Sequence, residues 1–423
     1  MTGFALFAMF LGAGNLLLPP LLGYNSGSDW FVVTIGFVIA AVVIPIFGIL
    51  AHARLQGTMY DFGKKVSPTF SFIYCILVYL ISIAIPSPRT ASATHEIAIH
   101  PFFGTEPLLT SSVYFALVLV FVLNRSKILS IIGKYLTPLI VVTLFLVIII
   151  GLFSSSFVMN PSSFETPIVS GLLEGYQTFD AIGAVLVGGV IIISLNLRGH
   201  TSFEAKYELI KKSGLIAGLG LLIVYAGLIG VGAFYGAEIV VDAELSNDMQ
   251  RATLLRGISS ATLGSFGNTV LSTLIAIACF TTAVGIVTGT ADYFKGVFKD
   301  SQFAYTLTAI ISCVFGIVIG QLDFHSIIVI GLPILMFIYP ITIILIFLNV
   351  LPELYTSKFV FRCVVLVAFV FSLPEVIKFI YPFEGLKTIQ SVIPLSQYTL
   401  GWVFPSIITF IVLNIRSFST KTT

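Results

Sequence analysis

Residues 141–153 read VVTLFLVIIIGLF, a run that turns apolar side chains toward every side of a helix and both faces of a strand. Water offers no stable place for it. A bilayer does, because a helix of about 20 such residues crosses the hydrocarbon core with its backbone groups bonded internally. A transmembrane β-strand would alternate apolar and polar residues with period two, so runs of this kind exclude a β-barrel. The rest of the chain agrees: 57% of its 423 residues are hydrophobic and 9% are charged, against about 25% charged in soluble domains. That supply of apolar residues suffices for around twelve spans, with little left for a soluble domain. The chain reads as an all-α, polytopic membrane protein.

Candidate spans fall at about 3–23, 30–51, 69–87, 110–124, 135–155, 176–197, 213–236, 266–290, 303–320, 325–350, 359–381 and 397–415. With a cytoplasmic start, sixteen of the 21 Lys and Arg residues lie in inside segments, and Arg89, Arg251, Arg256, Lys378 and Lys387 lie outside. This asymmetry supports both the span count and two cytoplasmic termini in the cell membrane. The first positive charge is Arg54, so the first apolar segment is expected to be a retained span rather than a cleaved signal peptide. A net charge of +2 without basic clusters sets nucleic acid aside. Cys75, Cys279, Cys313 and Cys363 all sit in apolar runs and read as small hydrophobes. Function is therefore sought among the helices, where, of the 19 acidic residues, Asp180 alone is placed well within an expected span, with Glu174 just outside it.

Two spans have interrupted patterns. The first, FALFAMFLGAGNLLLPPLLG (4–23), carries Gly12, Gly14 and Asn15 ahead of Pro19 and Pro20. The glycines lower helix propensity and the prolines remove backbone donors, which predicts a break near 12–15. A packing device or simple kink fits this spacing equally well. The sixth, beginning GYQTFDAIGAVLVGGV (175–190), carries Thr178, Asp180, Gly183, Gly188 and Gly189. Asp180 could instead snorkel to the surface beside Glu174. Spans one and six open two sets of five, the places where inverted-repeat transporters put their discontinuous helices. A helix broken at the midplane offers its N-terminal end to a carboxylate and its C-terminal end to a cation or amine.

The run 4–23, IPSPRTASATHE (85–96), EGYQTFDAI (174–182) and ACFTTAVGIVTGTADYF (278–294) resemble the branched-chain amino acid:cation symporter (BrnQ-type) family, in order and spacing over essentially the whole chain. The resemblance implies a carrier for leucine, isoleucine and valine with the five-plus-five inverted repeat of the bacterial leucine transporter. Residues 1–350 would form the transport core and 351–423 two peripheral spans. GAGN at 12–15 looks like the unwound first helix, so Ala13 and Gly14 would offer N–H groups to the substrate carboxylate beside Asn15. TFDAIG at 178–183 looks like the broken sixth helix, so Thr178, Phe179, Asp180 and Ala181 would flank the amine and side chain, although related neurotransmitter-type carriers have a small polar residue where this chain has Asp180. Ala278, Thr281 and Thr282 match a pattern that supplies one carbonyl and two hydroxyls to sodium, completed by the carbonyls of Ala8 and Leu11. Proton coupling through Asp180 is the alternative. No cofactor and no obligate protein partner are implied beyond the substrate, the coupling ion and the lipid bilayer. Only 11 residues precede Gly12, about 16 Å as helix, where family members usually carry a charged leader. Either a late start codon or an inner gate without that anchor is expected.

Other classes fit less well. In HEIAIH (95–100) the histidines are five apart rather than the four of a metalloprotease helix, which on an α-helix puts His95 and His100 about 140° apart. His52, His200 and His325 each sit near a span end and read as interfacial. A channel would require an oligomer or a continuous pore, whereas paired broken helices fit alternating access.

Overall fold

The computed structural model describes residues 2–124, 137–154, 157–197, 202–236, 238–242, 244, 247–381, 386 and 390–419. Every extended regular element among them is helical. We number the helices of nine residues or more. The first span is α1 (Thr2–Phe10) and α2 (Ala13–Ser26); the second is α3 (Trp30–Val38) and α4 (Ile44–Leu55), joined by a π-turn at Ile39–Val43. Then come α5 (Pro68–Ala84), α6 (Pro86–Thr94), α7 (Pro107–Leu123), α8 (Thr137–Ser154), α9 (Pro167–Tyr176) and α10 (Asp180–Leu197). The series closes with α11 (Phe203–Phe234), α12 (Asn247–Val297), α13 (Gln302–Gly320), α14 (Phe324–Val350), α15 (Lys358–Ile380) and α16 (Val403–Ser419). Seven helical stretches among the described residues are long and apolar enough to cross a membrane, and three shorter apolar helices accompany them.

Helix extends into segments expected to be loops. The outside loop expected at 88–109 is largely α6 and a π-turn at His95–Ile99, and α12 starts inside the loop expected at 237–265. Gly264, with φ of +69°, bends α12 where the apolar run begins. The segment before span six contains α9, which is held flat against α3 by glycines. A Cβ on Gly36 would lie 1.9 Å from the Ile168 carbonyl oxygen, and one on Gly171 2.1 Å from that of Val33. This is the close backbone approach that small residues permit in membranes. The charge count also used Arg125, Lys127, Lys134, Arg198, Lys387 and Lys421, which lie outside the described residues, as does His200.

The chain divides into two compact units, Met1–Val43 with Leu80–Asp180 and Lys212–Ile328, and Ile44–Tyr79 with Ala181–Lys211 and Val329–Thr423. Within the second, Tyr74 and Thr342 share a 2.9 Å hydrogen bond and the Asn349 amide donates to the Phe62 carbonyl at 3.1 Å. His52 is fully buried there rather than interfacial. Its Nε2 lies 2.7 Å from the Val185 carbonyl oxygen, and Gly188 leaves room for the ring. The same unit holds a second carboxylate buried within a long apolar helix, a correction to the single-acid expectation. Glu375 in α15 accepts the Gly401 amide at 3.0 Å. Pro374 and Lys378 flank it near the end of its run, which gives the local sequence the look of a boundary.

Candidate functional site

The first break is built by Gly12. Helix α1 ends at Phe10, and the Gly12 N–H turns back to the Phe10 carbonyl at 2.8 Å and toward the Asn15 Oδ1 at 3.3 Å. Gly12 is extended (φ −97°, ψ −172°) and caps α2, while Asn15 at the third helical position reaches back to it. Pro19 and Pro20 do not break the chain; both lie inside α2, which continues to Ser26. Ala13 and Gly14 thus occupy the first turn, where amides have no intrahelical acceptor.

The second break, at 177–179, is built without glycine and overlaps the start of the 178–183 run where it was expected. The end of α9 tightens: the amides of Gln177, Thr178 and Phe179 each bond to the carbonyl three residues back. The Thr178 hydroxyl donates to the Gly175 carbonyl at 2.8 Å and accepts the Asp180 amide at 3.3 Å. Phe179 has φ of +65°, a conformation that non-glycine residues adopt at a cost and that a surrounding structure must hold. Asp180 then opens α10, where its charge complements the helix N-terminus. Gly183, Gly188 and Gly189, read as interruptions, lie within the continuous helix.

Asp180 joins the two breaks. Its Oδ2 accepts from the Asn15 amide at 2.6 Å and from the Tyr225 hydroxyl at 3.2 Å, and Asn15 also donates to that hydroxyl. Asn15 is 2% exposed, Asp180 4% and Tyr225 0%. Tyr225 comes from α11, with its ring edge-on to Phe37 of α3 at 5.3 Å between centroids. Sequence reading missed Tyr225, whose one local signal is a phenol in the run LLIVYAGL. Thr178 and Phe179 are buried beside this cluster, and Ala181 is buried in the first turn of α10.

The five residues expected around sodium are partly assembled. Ala278, Thr281 and Thr282 share one face of α12, both hydroxyls donating to the Ala278 carbonyl at 2.9 and 3.1 Å. These are the back-bonds to the preceding turn that Thr residues commonly make. The Thr282 Oγ1 also faces the first break, 3.3 Å from where a Cβ on Gly12 would lie. Leu11 is buried at that break and Ala8 is half-buried on α1. Carbonyl and hydroxyl oxygens, without a thiol or imidazole, suit a hard cation, and both hydroxyl oxygens lie within 3.1 Å of the Ala278 carbonyl oxygen.

Two further findings concern α6. Arg89, assigned to an outside loop, is buried within this helix and reaches both breaks. His95 and His100 are also not on opposite sides. The π-turn at His95–Ile99 widens the helix so that residues five apart face the same way, and their rings lie 5.3 Å apart. They line a cavity of about 530 Å³ together with Glu96, Glu106, Arg256 and Asp323. A mostly apolar cavity of about 630 Å³ opens among α6, α7 and α12, bordered by Tyr114, Phe121 and Phe280.

The family described as branched-chain amino acid transport protein matches residues 1–419. The chain belongs to that family. Among its relatives, the branched-chain amino acid permeases BraB and BrnQ of Bacillus subtilis (strain 168) are each 30% identical, over 96% of this chain and 92% and 93% of their own lengths. A putative branched-chain amino acid carrier protein of Staphylococcus aureus (strain USA300) is 31% identical over 95% of this chain and 92% of its own. Among solved structures, the chain resembles MhsT in complex with L-phenylalanine, with a TM-score of 0.57 at 16% identity over 98% of this chain and 97% of that one. A manganese transporter of Eremococcus coleocola gives 0.54 at 14% identity over 97% and 95%. The fold is that of the bacterial leucine transporter class. As a member of that family, the chain is a multi-pass membrane transporter and not an enzyme.

Proposed function

We propose that the chain is a secondary active symporter that imports leucine, isoleucine and valine with a cation, and that the cation is sodium. The meeting of two interrupted helices at the Asn15–Asp180–Tyr225 cluster carries the reading. An amino acid leaving water needs a donor for its carboxylate and an acceptor for its amine at one point. The first turn of α2 supplies the donors, and the end of α9 with Asp180 supplies the acceptors. Ala13, Gly14 and Asn15 hold the carboxylate end; Thr178, Phe179, Asp180 and Ala181 flank the amine and side chain. Sodium binds to the carbonyls of Ala8, Leu11 and Ala278 and the hydroxyls of Thr281 and Thr282, and so orders the first break before substrate enters. In this scheme Asp180 changes partners: Asn15 and Tyr225 hold it until the substrate amine takes their place. One methylene discriminates by only about 1 to 3 kcal/mol in an apolar pocket, which accounts for broad acceptance of the three side chains. Residues 1–350 act as the transport core and 351–423 as peripheral spans, with both termini cytoplasmic in the cell membrane.

A buried carboxylate with two hydrogen-bond donors is also the form a proton carrier takes, which favours proton coupling through Asp180 as the second reading. Leucine uptake into proteoliposomes separates the two. A sodium gradient alone is expected to drive accumulation, and Thr281→Ala with Thr282→Ala is expected to remove the sodium dependence. Accumulation under a pH gradient alone would transfer the coupling role to Asp180. Purified protein that bound no branched-chain amino acid in either condition would end the substrate reading.

A further inference from the structure

Arg89 touches both breaks. Its Nη1 donates to the Gln177 carbonyl at 2.6 Å, and its guanidinium lies 5.7 Å from the centre of the Phe179 ring, both in the second break. Its Nη2 is 3.2 Å from where a Cβ on Gly14 would stand, so the hydrogen at position 14 admits it to the first turn of α2. Helix α5 ends at Ala84 and α6 restarts with Pro86 as its first residue, which sets Arg89 in the opening turn of the new helix. At 3% exposure within a stretch long and apolar enough to cross the membrane, this cation is buried where charge is expensive.

The guanidinium and the first-turn amides of α2 bring positive potential to the same place from two elements. An anion placed between them interacts favourably with both. The planar fork of arginine matches a carboxylate with two parallel hydrogen bonds, a geometry that the single ammonium of a lysine does not reproduce. A neutral carbonyl such as Gln177 uses one limb of that fork.

Resting on the transport reading above, we propose that Arg89 holds the α-carboxylate of the substrate against the first turn of α2, and thereby selects amino acids over the corresponding amides and amines. Gly14 is small so that the guanidinium can reach the carboxylate. The aliphatic side chain then contributes affinity but not the choice of compound class.

Binding of leucine and of leucinamide, which keeps the amine and side chain but lacks the charge, tests this on the purified full chain in sodium. Wild-type protein should prefer leucine by at least about tenfold, the scale of one charge-assisted hydrogen bond. Arg89→Gln should bring the two ligands to within about threefold by weakening leucine and leaving leucinamide unchanged, and Arg89→Lys should restore part of the preference. A merely structural role would weaken both ligands equally, and that result overturns the proposal. So does an Arg89→Gln protein that keeps the preference, or a wild type that never had it, a comparison that stands even if the variant does not fold. Wild-type protein that binds neither ligand would instead sink the transport reading, and this inference with it.

Discussion

The two helix breaks meet at one carboxylate yet are made by different means. At the first, the chain opens at Gly12, whose low helix propensity favours an interruption, and its extended conformation strains nothing. At the second, a phenylalanine is held at φ +65° by its surroundings: the Thr178 hydroxyl bonded on both sides, and buried packing around the ring. The first break is inexpensive and neutral, and the second is strained and carries the charge. A break bought by composition can close again as helix, whereas one imposed by tertiary contacts changes only when those contacts change. The second break is therefore the better candidate for the element that responds to substrate.

Removing the charge should have the largest effect. Asp180→Asn keeps the shape but leaves two buried donors, Asn15 and Tyr225, facing a weaker acceptor. Gradient-driven leucine uptake should fall at least about a hundredfold, in line with the loss of two charge-assisted hydrogen bonds. Leucine exchange without a gradient tells more. If exchange persists while accumulation is lost, Asp180 carries the coupling proton, and the neutral first break loses its claim to the coupling ion.

Tyr225→Phe removes one of the two donors to Asp180 and leaves the edge-on contact with Phe37 intact. One hydrogen bond to a charged group corresponds to about a tenfold change in the apparent affinity for leucine. If Tyr225 serves mainly to hold Asp180 closed in the absence of substrate, affinity rises; if it helps hold substrate, affinity falls. An unchanged affinity would show that the cluster takes no part in the response to substrate.

How far the sequence discloses each break follows from how each is made. Gly12 and Asn15 announce the first because a glycine before a helix start is a local signal, and the chain opens where that signal lies. At the second, Thr178 and Asp180 give a local signal through the Thr178 hydroxyl bonds to Gly175 and Asp180, while the positive φ of Phe179 leaves no mark in residue type, and Gly183, Gly188 and Gly189 lie in continuous helix. Membrane class, the helical fold and Asp180 are legible because apolar runs make a lone acid conspicuous. Tyr225, Arg89 and the His95–His100 pair are not. The first two act across 45 or more residues of chain, Tyr225 on Asp180 and Arg89 on Gln177, and the π-turn that aligns the histidines leaves no mark in residue type. Glu375 was hidden by Pro374 and Lys378, which resemble the end of a span.

The strain at Phe179 can be measured by two substitutions that remove the same ring. Phe179→Ala and Phe179→Gly both forfeit the buried side chain, so their difference isolates the backbone. Alanine at a positive φ pays about 1 kcal/mol that glycine does not, and thermal unfolding in detergent should rank the glycine variant above the alanine variant by that amount. The reverse order is the ordinary one where φ is negative, because glycine loses more conformational entropy on folding. Finding alanine the more stable would show that the second break relaxes to ordinary helical angles, and the contrast between a compositional and an imposed break would vanish.

The smallest effect belongs to the first break. At Gly12→Ala, a Cβ would meet the Thr282 Oγ1 at 3.3 Å and the Asn15 Oδ1 at an ordinary contact of 3.5 Å, so Thr282 must give by only a few tenths of an ångström. The backbone angles at Gly12 are open to alanine, and the loss in stability should be about 0.5 kcal/mol, the scale of replacing glycine at a helix cap. The change that matters is directional. The new methyl presses on Thr282, one of the proposed sodium ligands, and not on Asp180. A severalfold rise in the sodium concentration needed for half-maximal uptake, with leucine affinity at saturating sodium unchanged, would tie the glycine-built break to the ion and leave the amino acid to the strained one. A shift in leucine affinity at saturating sodium would instead show that the two breaks move as one body.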